Sequence, residues 1–254
     1  MNNGEFSGWE PIGRMDPLRP SRAAMIVRFM DRHAVGTGPG PVSDDGCPVE
    51  IYRRLRPCGE PDLVRSVLPV GSTVLDLGAG AGRIAHPLIA AGYSVTAVDS
   101  SLAMLSVIRD AEVVHSRIEE LDLGAREFDG ILLASYLLNS PGRAARSAML
   151  QTCRRYVRQS GAFLAQVRSP TLLSDCTGLT REEDGVWDTI ETYHRDGMLV
   201  TITLAMGLAG RRWNQRFTHE YLDESRLVEE LAASRFSFAG WLGDGGEWFW
   251  ATPH

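Results

Sequence analysis

The sequence predicts an α/β fold in which a mostly parallel sheet alternates with helices and then gives way to an antiparallel insert. Three observations carry this. β-rich runs at 72–77, 94–98, 113–115, 128–135 and 161–167 alternate with helical stretches. The first two of these strands are joined through a turn holding three glycines. Beyond Arg168 the rhythm changes to three β-rich segments separated by short polar turns. At 254 residues the chain suits one α/β domain with an elaboration, or two small domains, and is long enough to bury a full core.

Each element has a local reason. Ser72–Leu77 is β-rich and bounded by Gly71 and Gly78, so it reads as a short buried strand. From Arg83 onward, Ile84, Leu88 and Ile89 recur at helical spacing, and Gly92 stops the helix. Ser94–Val98 is the second β-rich run and ends at Asp99. Ser101–Arg109 is predicted helical, capped by Ser100 or Ser101. Val113–His115 is a strand, and the long apolar run Phe128–Ser135 belongs at the centre of the sheet. Ala144–Val157 gives a helix and Gly161–Val167 the next strand. Trp187–Tyr193, Met198–Met206 and Arg212–Tyr221, separated by HRDG and LAGR, form a three-stranded antiparallel insert. Glu224–Ala233 is a helix, and Phe236–Leu242 with Trp248–Thr252 close the chain as a hairpin around GDGGE. Ahead of these lies a leader rich in Gly and Pro, with one helical candidate at Ser21–Arg32 and a linker or mobile loop at Gly36–Gly46. The plan is a leader or lid at 1–50, an α/β core at 51–169, a covering insert at 170–222 and a completion of the core at 223–254.

The stretch VLDLGAGAGRIAHPLIAAGYSVTAVD, Val74–Asp99, carries the chemistry. Strand, glycine loop, helix and strand together aim helix-start N–H groups at whatever sits above the loop, and the missing side chains let a ligand lie against the main chain. An acid at the end of the second strand is placed to accept hydrogen bonds from a ribose. A dinucleotide and S-adenosylmethionine both fit that outline. The spacing separates them: a dinucleotide needs G-x-G-x-x-G, whereas Gly78, Gly80 and Gly82 give G-x-G-x-G with Arg83 in the third-glycine slot. Asp76, two places before the first glycine, suits a cationic ammonium or sulfonium better than a pyrophosphate.

VLDLGAGAG followed by VTAVDSSLAML resembles the first two motifs of the class I, Rossmann-like S-adenosylmethionine-dependent methyltransferases, over roughly Tyr52–Arg168. The resemblance implies that sheet, that cofactor and transfer of a methyl group. Asp76, Gly78, Ala79 and Gly80 would line the methionine part of the cofactor, Asp99 would hold both ribose hydroxyls, and Met104 would pack on the adenine, with Ser100 and Leu102 close by. A segment before the first strand often closes over the cofactor in such enzymes. Tyr52 and Arg53 are placed there, with Arg53 or Arg54 a candidate partner for the cofactor carboxylate. The family commonly has an acid four residues before the leucine of HSRIEELDL to receive the adenine amino group. Arg117 stands there and cannot accept a hydrogen bond, so the Ile118 backbone, Glu119 or a neighbour must serve. The wall facing the methyl would be the end of the Phe128–Ser135 strand, with Ser135, Tyr136 and Asn139 the chosen residues. His194 and His219, placed at hairpin ends where histidines are usually polar surface, are the general-base candidates. Small-molecule methyltransferases, including those acting on amino sugars in antibiotic pathways, carry an insert after the fifth strand, where it roofs the substrate pocket or forms a homodimer contact. Tyr193 and Trp213 are candidate apolar walls of that pocket.

Composition narrows the field. All 26 basic residues are arginine, which removes P-loop NTPases, protein kinases, Schiff-base enzymes and Ser-Lys hydrolases, all of which need a lysine at the chemistry. A net charge of −6 argues against a nucleic-acid partner held by phosphate neutralisation. Asn139-Ser140-Pro141 lacks the second proline and aromatic of the N-P-P-aromatic motif of nucleic-acid amino methyltransferases. Cys47, Cys58, Cys153 and Cys176 show no C-x-x-C spacing, and Asp44-Asp45 and Glu182-Glu183-Asp184 show no further ligand spacing, so no metal site is expected. With no signal-peptide pattern and no apolar run near the roughly 20 residues that span a bilayer, the expectation is a cytoplasmic enzyme acting on a small molecule. A nicotinamide-dependent oxidoreductase and a non-catalytic protein of the same fold are the alternatives.

Overall fold

The computed structural model describes residues 34–168 and 174–254, so the Ser21–Arg32 helix and most of the proposed lid lie outside the described residues. Two sheets make up the described chain. The larger has seven strands, built on β2 (Thr73–Leu77), β3 (Ser94–Asp99), β4 (Glu112–His115), β5 (Phe128–Leu133) and β6 (Val157–Gln166). These five pair in parallel, in the order β6-β5-β2-β3-β4. The closing hairpin of β11 (Phe236–Leu242) and β12 (Trp248–Pro253) adds antiparallel to β6 and completes the edge. β2 and β5 are central and bury nearly every side chain, as continuous apolar runs should when helices cover both faces.

Helix α2 (Glu60–Val67) and helix α3 (Ala85–Ala90) cover one face of this sheet around Val64, Leu88, Leu132 and Leu164. Helix α5 (Arg143–Tyr156) and helix α6 (Glu224–Ala233) cover the other around Leu133, Leu150, Phe163 and Leu231. Helix α4 is shorter than its sequence predicts: Ser101 caps it by accepting from the Met104 N–H, but it spans only Leu102–Leu105. The β-branched Val107 and Ile108 continue a helix poorly, and Asp110 turns the chain with φ of 59°.

The three predicted insert strands appear as β8 (Val186–Asp196), β9 (Leu199–Leu208) and β10 (Arg211–Glu220). Two more join them. β7 (Thr180–Glu183) pairs with β8, and β1 (Val35–Thr37) pairs with the far side of β10. Gly36 and Thr37 of the predicted linker therefore belong to the covering sheet, and the loop that follows is held against it. A Cβ on Gly36 would lie 2.2 Å from the Gly46 carbonyl, so this loop closes only with glycine there. The Trp213 indole donates to the Pro39 carbonyl at 2.7 Å and fixes the same loop. Between the two sheets lies a shared apolar layer. Ile190, Ile202, Leu204 and Phe217 of the insert pack there with Tyr52 of helix α1 (Val49–Tyr52), Ala81, Met104 and Tyr136 of the core.

Candidate functional site

The glycine loop follows β2 at the carboxyl edge of the large sheet, where a crevice forms in doubly wound folds. The Gly78 and Ala79 N–H groups both donate to the Val98 carbonyl, at 2.8 and 2.9 Å, pinning the loop to the end of β3. Gly78 sits at φ of 73°, and a Cβ there would come within 2.7 Å of Leu137, so the loop is kept bare by both conformation and space. Asp99 is buried at the end of β3; its two carboxylate oxygens accept from the Gly80 N–H at 2.7 Å and the Ser101 N–H at 2.9 Å. The acid is thus held in one rotamer beside the loop.

A cleft opens over this loop, lined by Tyr52, Leu55, Asp76, Gly78, Ala79, Gly80, Ala81, Arg83, Ile84, Ala134 and Ser135. Six of the residues chosen from sequence are therefore brought together here: Tyr52, Asp76, Gly78, Ala79, Gly80 and Ser135. Met104 is buried in the same apolar layer as Tyr52, and Ile118 packs near Gly78. Ser100 lies beside the loop's acid, its carbonyl bonded to the His115 ring at 2.9 Å. Two choices are placed otherwise. Arg53 is exposed and does not line the cleft. Glu119 is engaged by Arg117, at 2.6 and 2.9 Å, and the Ile118 carbonyl accepts from Thr152 at 3.0 Å. The arginine in the family's acidic position thus occupies the nearest acid.

Arg83 is what the sequence reading used only to exclude a ligand. It lines the cleft and forms an ion pair with Glu60, the first residue of α2. Burial opposes its charge, but Glu60 overcomes that and holds it firmly protonated. Nothing in the sequence links positions 60 and 83; only the packing of α2 against the loop does.

The predicted strand through Ser135 stops at Leu133. Ser135 and Tyr136 both take left-handed backbone, φ of 58° and 62°, an unfavourable conformation for residues with a Cβ. Gln166 accepts from the Ser135 N–H at 3.0 Å and holds the turn. The reversal carries Tyr136 under the sheet's edge, where it is buried with the Arg168 guanidinium 4.3 Å above its ring. Burial pushes the Tyr136 phenol well above its ordinary pKa, so it stays protonated.

Asn139 is fully buried, and both ends of its amide are used by the protein: it donates to the Glu220 carbonyl at 2.9 Å and accepts from the Arg168 N–H at 2.9 Å. It ties the end of β10 to the end of β6. His219 is not at a surface hairpin end. It is buried within β10 between Phe217 and Tyr221, and burial, with Arg168 adding to it, drops its pKa well below 6.5. His194 is the exposed one. Trp213 is a core residue of the insert with its indole bonded to Pro39, so it is not a free pocket wall, whereas Tyr193 is partly buried against the shared apolar layer.

The inner face of the insert also carries Asp188, buried in line with Val186 and Ile190. Its Oδ1 has no hydrogen-bond partner among the described residues. Burial raises its carboxyl to about 6 despite Arg181 nearby. Because that value is above the unfolded one of about 3.9, the charge costs the folded state stability at neutral pH. The cost shrinks as pH falls below 6 and vanishes near 4. Asp188→Asn should therefore melt about 2–8 °C higher than wild type at pH 7, for a gain of about 1–2 kcal/mol, and with no advantage near pH 4. A lower melting temperature at pH 7 would show that the carboxylate is stabilising.

Residues 74–161 match a family model described as a methyltransferase domain. Over that stretch the chain is similar to a methyltransferase domain. An uncharacterised methyltransferase of Mycobacterium bovis is 36% identical to it over 94 residues, 35% of this chain and 39% of that protein; counterparts in Mycobacterium tuberculosis match equally. The aligned part thus spans about two fifths of the curated relatives' length. Among solved structures, the CcbJ methyltransferase from Streptomyces caelestis shares the fold at TM-score 0.66 and 18% identity, over 81% of this chain and 95% of that one. The sugar N-methyltransferase KedS8 from a Streptoalloteichus species does so at TM-score 0.62 and 18% identity, over 100% of this chain and 99% of that one. In the present chain, the residues of the cleft and of the matched stretch fit S-adenosylmethionine. Asp99, held by Gly80 and Ser101, would take the ribose hydroxyls; the bare backbone at Gly78 would admit the methionine part; Met104 and Ile118, both buried, would be the apolar residues toward adenine.

Proposed function

We propose that this chain transfers a methyl group from S-adenosylmethionine to a nitrogen or oxygen of a small molecule, in secondary metabolism. The observation that carries this reading is the Asp99 carboxylate fixed beside a glycine loop of G-x-G-x-G spacing, under a second sheet that covers the same edge. The sugar and amino-pentose methyltransferases KedS8 and CalS10, the latter from calicheamicin biosynthesis in Micromonospora echinaspora, share this fold and make a small metabolite the favoured acceptor. The net charge of −6 favours the same choice over nucleic acid. Among the described residues no helix is long and apolar enough to cross a membrane; we place the enzyme in the cytoplasm and the outer face of the insert as a homodimer contact.

The cofactor supplies a carbon already activated by a sulfonium. The protein's part is alignment and exclusion of water. Asp76 and the loop backbone would hold the amino-acid end, Asp99 and Ser100 the ribose side, and Tyr52 would close the cleft from α1. Ser135, which lines the cleft, and Tyr136 beside it, both in left-handed turns, would form the wall facing the methyl group. Asn139 serves as a positioning residue, since it fixes the strand ends that carry Arg168 and His219. For a hydroxyl acceptor, which needs a base, His219, kept neutral by burial, is the general-base candidate.

Titration calorimetry with S-adenosylhomocysteine and with NADH tests the cofactor, and mass spectrometry of products from a panel of amino and hydroxy metabolites tests the reaction. Heat from the former ligand alone, followed by a gain of one methyl on an acceptor, is expected. Binding of NADH in preference would return the oxidoreductase reading, and cofactor binding with no turnover on any acceptor would favour a non-catalytic protein.

A further inference from the structure

We propose that Glu247 is the carboxylate that receives an amine acceptor, binding its ammonium beside the reacting centre and taking the proton released on methylation. The inference rests on the methyltransferase reading and narrows the acceptor to an amine. Glu247 ends the GDGGE turn between β11 and β12. Its carbonyl accepts from the Val167 N–H at 2.7 Å, which fastens the turn onto the end of β6, and the residue is only 8% exposed. The groups that face its carboxylate come from three other elements: Tyr136 after β5, Arg168 after β6 and Tyr221 after β10. Tyr136 also lies within electrostatic reach of the Glu60–Arg83 pair that borders the cofactor cleft, and its neighbour Ser135 lines that cleft. Tyr136, next in the chain to the cleft residue Ser135 and in contact with Arg168, thus links the Glu247 carboxylate to the cleft's edge.

A buried acid at this place needs a reason. Burial outweighs the help it receives from Arg168 and from the Tyr136 hydroxyl, and lifts Glu247 to about 7. Arg168 is shared with the Tyr136 ring, and His219 close to Arg168 stays neutral. An incoming ammonium would restore the carboxylate's charge where a neutral hydroxyl would not. In the reaction Glu247 takes one proton from the ammonium and frees the nitrogen lone pair. That pair forms the N–C bond as the S–C bond breaks with its electrons left on sulfur, and the product leaves as a methylated ammonium. One proton is released and it sits on Glu247.

Sinefungin, the analogue of S-adenosylhomocysteine in which an amine-bearing carbon replaces the sulfur, puts an ammonium where the methyl would be. The ratio of the two dissociation constants, measured by calorimetry on the full chain, reads Glu247 without turnover. Wild type should favour sinefungin, and Glu247→Gln should cut that preference by about tenfold while leaving S-adenosylhomocysteine binding within about twofold. Wild type alone gives a second reading: its preference should weaken as pH drops from 8 to 5.5 and the carboxylate is neutralised, the ligand's ammonium staying charged throughout. An unchanged ratio in folded Glu247→Gln, or a flat wild-type ratio over that range, overturns the assignment and leaves the methyltransferase reading standing. Failure of wild type to bind S-adenosylhomocysteine at all would instead overturn the reading beneath it.

Discussion

In the Asp99→Ala variant the affinity for S-adenosylhomocysteine should fall at least about tenfold. The carboxylate would accept two charge-assisted hydrogen bonds from the ribose, each worth about 1.5–3 kcal/mol, so the full loss lies nearer hundredfold or more if both form. The structure adds a second route to the same loss. Asp99 accepts from the Gly80 and Ser101 N–H groups, so its removal also releases the glycine loop and the cap of α4. Asp99→Asn separates the two effects: its amide oxygen can keep one backbone contact, but the charge is gone. Calorimetry on variants shown to be folded by circular dichroism checks this, and wild-type affinity in Asp99→Ala would remove Asp99 from the cofactor site.

Arg146→Ala should destabilise the protein by about 3–5 kcal/mol, the range for breaking a buried ion pair from one side. Arg146 is fully buried in α5. It donates to both carboxylate oxygens of Glu230 at 2.7 and 2.8 Å, to Glu220 at 2.8 Å and to the Ser140 carbonyl at 2.9 Å. Removing it leaves two largely buried acids facing each other, with Arg226 their remaining cation. Glu220 ends β10, so this network and Asn139 together anchor the covering sheet to the core. The network should also be acid-sensitive. Burial opposes the charge of Glu220, but the Gly142 N–H, Arg146 and Arg226 outweigh it and hold the carboxyl at about 2. That is below the unfolded value of about 4.3, so its contribution is complete above about pH 5 and is lost as pH falls towards 2. Urea unfolding of both proteins at pH 7 and pH 3 measures it, and the gap between them should narrow at the lower pH. Equal midpoints at pH 7 would mean that the anchor lies elsewhere.

The sequence by itself determined the parallel core, the antiparallel insert and most of the cradle. These are local properties: alternation of β-rich and helical periods sets the strands, and glycines at 78, 80 and 82 with acids at 76 and 99 set the loop, because a bare backbone and a strand-end acid can be read from spacing alone. What needed the tertiary structure was every feature made from distant residues. That β1 from the leader completes the insert depends on a pairing across some 180 residues, Val35 with Arg216. Arg83 meets Glu60, and Arg146 meets Glu220 and Glu230, only because helices pack, and no local pattern marks such pairs. His219 looks like an ordinary polar residue near a strand end, yet the covering sheet turns that face inward and burial strips it of its charge. The same burial ties the Asn139 amide to the ends of β10 and β6 and brings Glu247 from the last hairpin to Tyr136 and Arg168. Periodicity tells which face of a strand is apolar. It does not tell what lies opposite, and the charge of a buried group is decided by what lies opposite.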